Sequence, residues 1–103
     1  MDPWLARRRM TKIVRDDYRV CVYRIKNPNY RSRKEITELL RNFEELVAYY
    51  EDVIGYENSK IAKEVVKKLR SLVSSIPSSN GVKWDEKLLK KWLEIANELP
   101  DIT

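Results

Sequence analysis

The stretch SRKEITELLRNFEELVAYYEDVIG, Ser32 to Gly55, carries the clearest secondary-structure signal in the chain. Ser32 followed by Glu35 is a capping box, in which the serine oxygen accepts a hydrogen bond from a free backbone N–H at the start of a helix. Apolar residues then recur with the period of a helix until Gly55, a residue that commonly ends helices. They cover an arc of about 140°, wide enough to pack against more than one neighbour. The stretch therefore predicts a central helix over 33–54.

A long amphipathic helix is predicted before the central one, over 3–26. It begins at Pro3, because proline is well tolerated in the first turn, and it must stop before Pro28. One side of this helix is apolar and is expected to face the core: Ala6, Met10, Ile13, Val14, Tyr18, Cys21 and Ile25. The alternation of β-branched and aromatic residues at its end leaves a short strand-like segment at 19–25 as the alternative.

Two shorter helices are predicted after the central one, over 59–75 and 86–99. Proline follows each of them, and Asp85 is a plausible N-cap for the second. Four amphipathic helices with short connections predict an all-α fold, a small antiparallel four-helix bundle in one domain over 1–103. The first two helices are the longer pair and extend beyond the others by roughly 10 Å. Such an overhang favours a homodimer or a partner at one end of the bundle.

The composition argues against an enzyme. The chain has no histidine, which removes the commonest general base and zinc ligand, and its two glycines cannot form a phosphate-binding loop. Its single cysteine, Cys21, excludes an intramolecular disulfide and is expected to be a small core residue. We therefore predict no catalytic residue, no metal site and no cofactor. No apolar run is long enough for a membrane span, so we expect a cytoplasmic protein with no membrane partner.

Positive charge is concentrated in the first third of the sequence. Residues 1–34 contain eleven of the 21 basic side chains and three acidic ones, a net charge of +8, and the remainder carries −3. The outward side of the first helix presents five of these cations within about 60° of one another: Arg8, Lys12, Arg15, Arg19 and Lys26. Such asymmetry points to a polyanionic partner, although a charged outer side is also what any amphipathic helix has.

The connection after the first helix adds residues suited to nucleic acids: Asn29, Tyr30, Arg31 and Arg33. Arginine binds phosphate, tyrosine can stack on a base, and asparagine can read base edges. The leading interpretation is a non-enzymatic nucleic-acid-binding accessory protein, with DNA or RNA as its partner. No helix-turn-helix signature supports it, since the second helix would be unusually long for such a motif.

The alternative is a helical protein-interaction module or self-assembling subunit that docks an acidic protein. A second basic stripe runs along the third helix: Lys60, Lys63, Lys67 and Arg70. Cations late in a helix also stabilise its dipole, so this stripe has an ordinary structural explanation. In a square antiparallel bundle, the basic stripes of the first and third helices would lie on diagonally opposite helices. Arg33 and Arg70 would nevertheless lie at the same end of the bundle.

Overall fold

The computed structural model describes residues 3–28, 32–76 and 83–102. All regular secondary structure in these ranges is helical, and the helices pack together compactly. They are α1 (Pro3–Lys26), α2 (Arg33–Tyr49), α3 (Glu51–Ile54), α4 (Tyr56–Ser74) and α5 (Glu86–Ala96). The prediction of an all-α fold is confirmed.

The predicted first helix over 3–26 is present as α1, and the alternative of a strand-like segment at 19–25 is wrong. Residues 19–25 continue the helix without interruption. Helical geometry turns Ile25 into the core, where it is fully buried, and packs Cys21 and Val22 against its edge. Packing along one side of α1 thus outweighs the local strand preference of β-branched residues.

The predicted central helix over 33–54 is interrupted at Tyr50. The backbone there has φ −115° and ψ 36°, outside helical geometry, so the last turn forms the separate helix α3. This turn buries Ile54, whereas the side chain of Tyr49 remains 82% exposed. Gly55 then ends α3 with φ 104°, a conformation that L side chains rarely adopt. Glycine at this position is therefore a requirement of the backbone.

The helix predicted over 59–75 begins three residues earlier, at Tyr56. The Gly55 carbonyl accepts the first bond of α4, from the backbone N–H of Ser59. Ser59 therefore lies inside the helix, where it is fully buried and its hydroxyl donates to the Val47 carbonyl at 2.9 Å. This bond ties α4 to α2.

The expected helix caps at Ser32 and Asp85 are confirmed. The Ser32 hydroxyl accepts from the backbone N–H of Glu35 at 3.2 Å, and the Asp85 carboxylate accepts from that of Leu88 at 2.8 Å. The helix predicted over 86–99 ends earlier, at Ala96, because the following residues continue as tight turns. Both starts show how local side-chain chemistry fixes a helix terminus.

The core is formed by side chains from all five helices, centred on Tyr18, Phe43 and Trp92. The rings of Tyr18 and Phe43 lie 5.3 Å apart between their centres. Helix α1 contacts α2, α3 and α5, while α4 contacts α2, α3 and α5. No Cα atom of α1 lies within 8 Å of one in α4.

The first half of α1 contributes nothing to the core. Every residue from Pro3 to Met10 is exposed, and the first buried side chain of the helix is Val14. The expectation that Ala6, Met10 and Ile13 face the core is therefore wrong. A 24-residue helix is about 36 Å long, which exceeds the reach of its neighbours, so the apolar side chains of its first turns remain exposed. The chain is accordingly elongated, with a longest dimension of 50 Å.

Candidate functional site

The five cations predicted on the first helix lie on one side of α1, because the helix is continuous from Pro3 to Lys26. We call this surface the cationic face, and it consists of Arg8, Lys12, Arg15, Arg19 and Lys26. Arg8, Lys12 and Arg19 are exposed, and Arg15 and Lys26 are partly buried. The face runs for about 27 Å along the helix, at about 1.5 Å per residue.

Most of the cationic face is not neutralised within the described residues. Arg19 is the exception, because its guanidinium contacts the Asp16 carboxylate at 3.4 Å and donates to the Ile102 carbonyl at 3.2 Å. The Arg8 guanidinium lies 5.3 Å from the centre of the Trp4 ring. Lys12, Arg15 and Lys26 form no ion pair with a described residue. Four of the five charges thus face solvent without a carboxylate partner there.

Two exposed aromatic side chains flank the cationic face. Trp4 is 64% exposed beside its first end, and Tyr23 is 69% exposed near its last end. Neither residue is among the predicted site residues, and Tyr23 falls in the segment 19–25 for which a strand is the alternative. Their angles around the helix, within about 60° of Arg8 on either side, are the sequence signal that places them next to the cations. A basic surface bordered by aromatic rings can bind a backbone of phosphates and stack on bases.

Acidic residues border the face at two points. Arg15 lines a groove between α1 and the Tyr50–Val53 segment, and Asp52 lines the same groove without reaching ion-pair distance. Arg19 and Lys26 line a second groove of about 410 Å³, whose opposite wall includes Asp101 and Ile102. These carboxylates limit the positive potential at the edges of the face and leave its exposed crest to Arg8 and Lys12.

Of the four residues predicted to bind nucleic acid in the connection after α1, only Arg33 lies within the described residues. Asn29, Tyr30 and Arg31 lie outside the described residues. Arg33 is at the first turn of α2 and lines a groove with Arg41 and Arg70. Arg33 and Arg70 therefore line the same groove, and Arg70 is already paired with Glu44 at 2.8 Å.

Two of the four cations of the second basic stripe, on α4, form ion pairs, against one of the five on the cationic face. Lys63 contacts Glu51 at 3.4 Å and Arg70 contacts Glu44. The neighbouring Lys68 contacts Glu98 at 3.1 Å. Lys60 and Lys67 form no ion pair with a described residue, and no Cα atom of α4 lies within 8 Å of one in α1.

The titratable groups with shifted pKa values lie in or beside the core. Burial, together with the charge of Asp101, raises the pKa of the Tyr18 phenol well above its usual range, and its hydroxyl donates to the Pro100 carbonyl at 2.6 Å. Burial also raises the pKa of the Cys21 thiol, which favours the neutral form expected of a packed residue. Within the ranges described, no three Asp, Glu or Cys side chains converge as a metal site.

Comparison of the chain with known protein families, curated proteins and solved structures gives no match. Among the helices described, none combines the length and the apolar character needed to cross a membrane.

Proposed function

We propose that this protein is a non-enzymatic nucleic-acid-binding protein that uses the cationic face of α1. The observation that carries the proposal is the contrast in pairing between the two basic surfaces. Four of the five cations of the cationic face have no carboxylate partner among the described residues, whereas two of the four cations of the α4 stripe, Lys63 and Arg70, are ion-paired. Free cations bind a polyanion because binding releases its condensed counterions.

The dimensions and chemistry of the face fit this function. Its length of about 27 Å spans roughly eight base-pair steps at about 3.4 Å each. Arginine can donate two parallel hydrogen bonds to phosphate, and the flanking indole and phenol rings offer stacking planes. We expect the protein to contact mainly the sugar-phosphate backbone of the nucleic acid, because the side chains on the exposed crest are cations, which bind phosphate.

The proposal is tested by fluorescence anisotropy with a labelled duplex and the corresponding single strand. If four cations act, the affinity should fall roughly 100-fold between about 50 and 200 mM salt. The variant Arg8→Ala/Lys12→Ala/Arg15→Ala should bind much more weakly and with a shallower salt dependence. The matched control Lys60→Ala/Lys63→Ala/Lys67→Ala removes the same charge from α4 and should bind nearly as the wild type does.

Two results would contradict the proposal. One is an absence of binding at low salt. The other is an equal loss of affinity in the two triple variants, because binding would then follow net charge and not the cationic face. Both variants change exposed or half-buried side chains, so circular dichroism and thermal unfolding can verify that they remain folded.

The second candidate function is a protein-interaction module that binds an acidic partner. It is favoured by the exposed apolar side chains on another side of α1, including Met10, Ile13 and Val20. Nucleic acids do not require an aliphatic surface, whereas protein interfaces commonly have an apolar centre with a charged rim. Ile13→Glu should abolish binding to such a protein and leave the affinity for nucleic acid nearly unchanged.

We also propose that the four long helices form the antiparallel bundle expected from the sequence. The cyclic order of contacts supports it, since α1 contacts α2, α2 contacts α4, α4 contacts α5, and α5 contacts α1. In this arrangement the cationic face points outward on the side of α1 away from α4. Distances between spin labels at the helix ends would test the helix directions.

A further inference from the structure

The exposed apolar side chains of the described chain are concentrated on one helix. Nine large apolar residues are exposed, and six of them belong to α1: Trp4, Leu5, Met10, Ile13, Val20 and Tyr23. The residues from Pro3 to Met10 are all exposed, so this end of α1 has no buried side chain. The first half of α1 therefore presents apolar side chains that its own neighbours leave exposed and that a partner can cover.

Three members of this exposed set, Met10, Ile13 and Val20, lie in a regular stripe that Ala6 and the charged Asp17 complete. Ala6, Met10, Ile13, Asp17 and Val20 are separated by four, three, four and three residues, the spacing of the inner positions of a coiled coil. We call these residues the apolar seam. They lie between about 120° and 200° around the helix from Arg8. The side of α1 that is buried in the core lies elsewhere, so the seam is a second side, apolar except for Asp17.

We propose that two copies of this protein associate by pairing their α1 helices antiparallel along the apolar seam. The two-fold axis passes between residues 11 and 12. Met10 of each copy then packs against Ile13 of the other, and Ala6 lies opposite Asp17 of the other. The same pairing brings Val20 to Pro3 of the second copy. The seam is thus complementary to itself in one register.

The charges on α1 select the antiparallel direction. In the proposed register, Arg9 of each copy lies beside Asp16 of the other, which gives two ion pairs at the rim. A parallel pair in register would instead bring Asp17 against Asp17 along the seam. Asp16 already contacts Arg19 through Oδ1 at 3.4 Å, and its Oδ2 bonds no described residue, so it can accept a second guanidinium.

The arrangement also suits the shape of the molecule. Because the axis is near residue 12 and the core begins at Val14, the bodies of the two copies lie at opposite ends of the paired helices. The projecting half of each α1 covers the exposed seam on the packed half of the other. The paired segment of about 18 residues is about 27 Å long, so the interface is small among specific protein–protein interfaces.

The cationic face is on nearly the opposite side of α1 from the seam and remains accessible in the dimer.

Sedimentation equilibrium over a concentration series tests the proposal, with a dissociation constant expected at about 10 to 100 µM for so small an interface. Ile13→Glu should raise that constant at least tenfold, because it places two carboxylates in the centre of the seam. Ile13 is 57% exposed, so the substitution should not unfold the monomer. The control Tyr49→Glu changes a more exposed apolar residue on α2 and should leave the constant unchanged.

A charge exchange tests the direction and register. Arg9→Asp and Asp16→Arg should each raise the dissociation constant by roughly 3- to 5-fold, as expected for the loss of two exposed ion pairs. The double variant Arg9→Asp/Asp16→Arg should return it close to the wild-type value, because the pairs are restored with reversed signs.

Disulfide trapping gives an independent readout in a Cys21→Ser background. A mixture of chains carrying Met10→Cys and chains carrying Ile13→Cys should form the mixed disulfide on oxidation. Chains carrying Ile13→Cys alone should cross-link poorly. The proposal is overturned by a monomer that persists to about 1 mM, by a dimer that tolerates Ile13→Glu, or by efficient cross-linking of Ile13→Cys chains with themselves.

Discussion

The indole Nε1–H of Trp92 donates a hydrogen bond to the backbone carbonyl of Ile25 across 2.7 Å, and both residues are fully buried. Ile25 belongs to the last turn of α1, where carbonyls lack partners further along the helix. Trp92 belongs to α5, so this bond fixes the end of the helix that carries the cationic face against the last helix of the chain.

Trp92→Phe should lower the free energy of unfolding by about 1–3 kcal/mol, because it leaves the buried Ile25 carbonyl without this donor. Urea denaturation followed by circular dichroism measures the change. The matched control is Trp84→Phe. The Nε1 atom of Trp84 is buried but finds no hydrogen-bond partner among the described residues, so its removal should be less costly. Equal losses in the two variants would contradict the assigned role of the Trp92 bond.

Tyr18→Phe should change the dependence of stability on pH at the alkaline end. The pKa of Tyr18 is raised in the folded protein above its unfolded value of about 10. Above about pH 10 the unfolded state therefore binds fewer protons than the folded state, and stability falls as pH rises, by up to about 1.4 kcal/mol per pH unit.

The measurement is urea denaturation of the wild type and of Tyr18→Phe between about pH 8 and pH 11. The difference in unfolding free energy between the two proteins should be constant up to about pH 10 and should then shrink. A constant difference over the whole range would show that Tyr18 titrates alike in both states.

Gly55→Ala should destabilise the protein by about 1–3 kcal/mol, because its φ of 104° is strained for any L side chain. The new Cβ would also lie 3.2 Å from Asn58 Nδ2. The two causes are separated by repeating the substitution in an Asn58→Ala background, which removes that neighbour. If backbone strain dominates, most of the loss in unfolding free energy remains; a full recovery would assign the effect to the contact.

Trp4→Ala should weaken binding to a single strand more than binding to a duplex, if the proposed function holds. Stacking of one base on an aromatic side chain contributes about 1–3 kcal/mol, and the bases of a duplex are not available for it. The affinity for the single strand should thus fall roughly 5- to 100-fold in an anisotropy titration. Tyr49→Ala, which removes an exposed ring on α2, is the control and should bind normally.

Local signals in the sequence placed most helix boundaries correctly. The prolines at 3 and 28, together with the helical period, give the full extent of α1. Ser32 and Asp85 mark the starts of α2 and α5 through hydrogen bonds within one turn. The break at Tyr50 and the early start of α4 have no comparable signal, because packing of Ile54 and Ser59 into the core decides them.

The candidate site shows the same division. That Arg8, Lys12 and their companions share one side of a helix follows from their spacing alone. Which cations are paired does not follow in general, since Lys63 pairs with Glu51 and Lys68 with Glu98, both outside α4 and remote in sequence. The joint residues Asn29, Tyr30 and Arg31 remain predictions from the sequence.

The sequence by itself determined that the chain is helical, where its caps lie, and that α1 is basic on one side, because each of these depends on residues within a few turns. Only the tertiary structure decided that Val14, Tyr18 and Ile25 are buried while Met10 and Ile13 are not. The periodicity of α1 identifies an apolar side along its whole length. Burial additionally requires a neighbouring helix. In the part of α1 that precedes Val14, the neighbours of the helix bury none of its side chains.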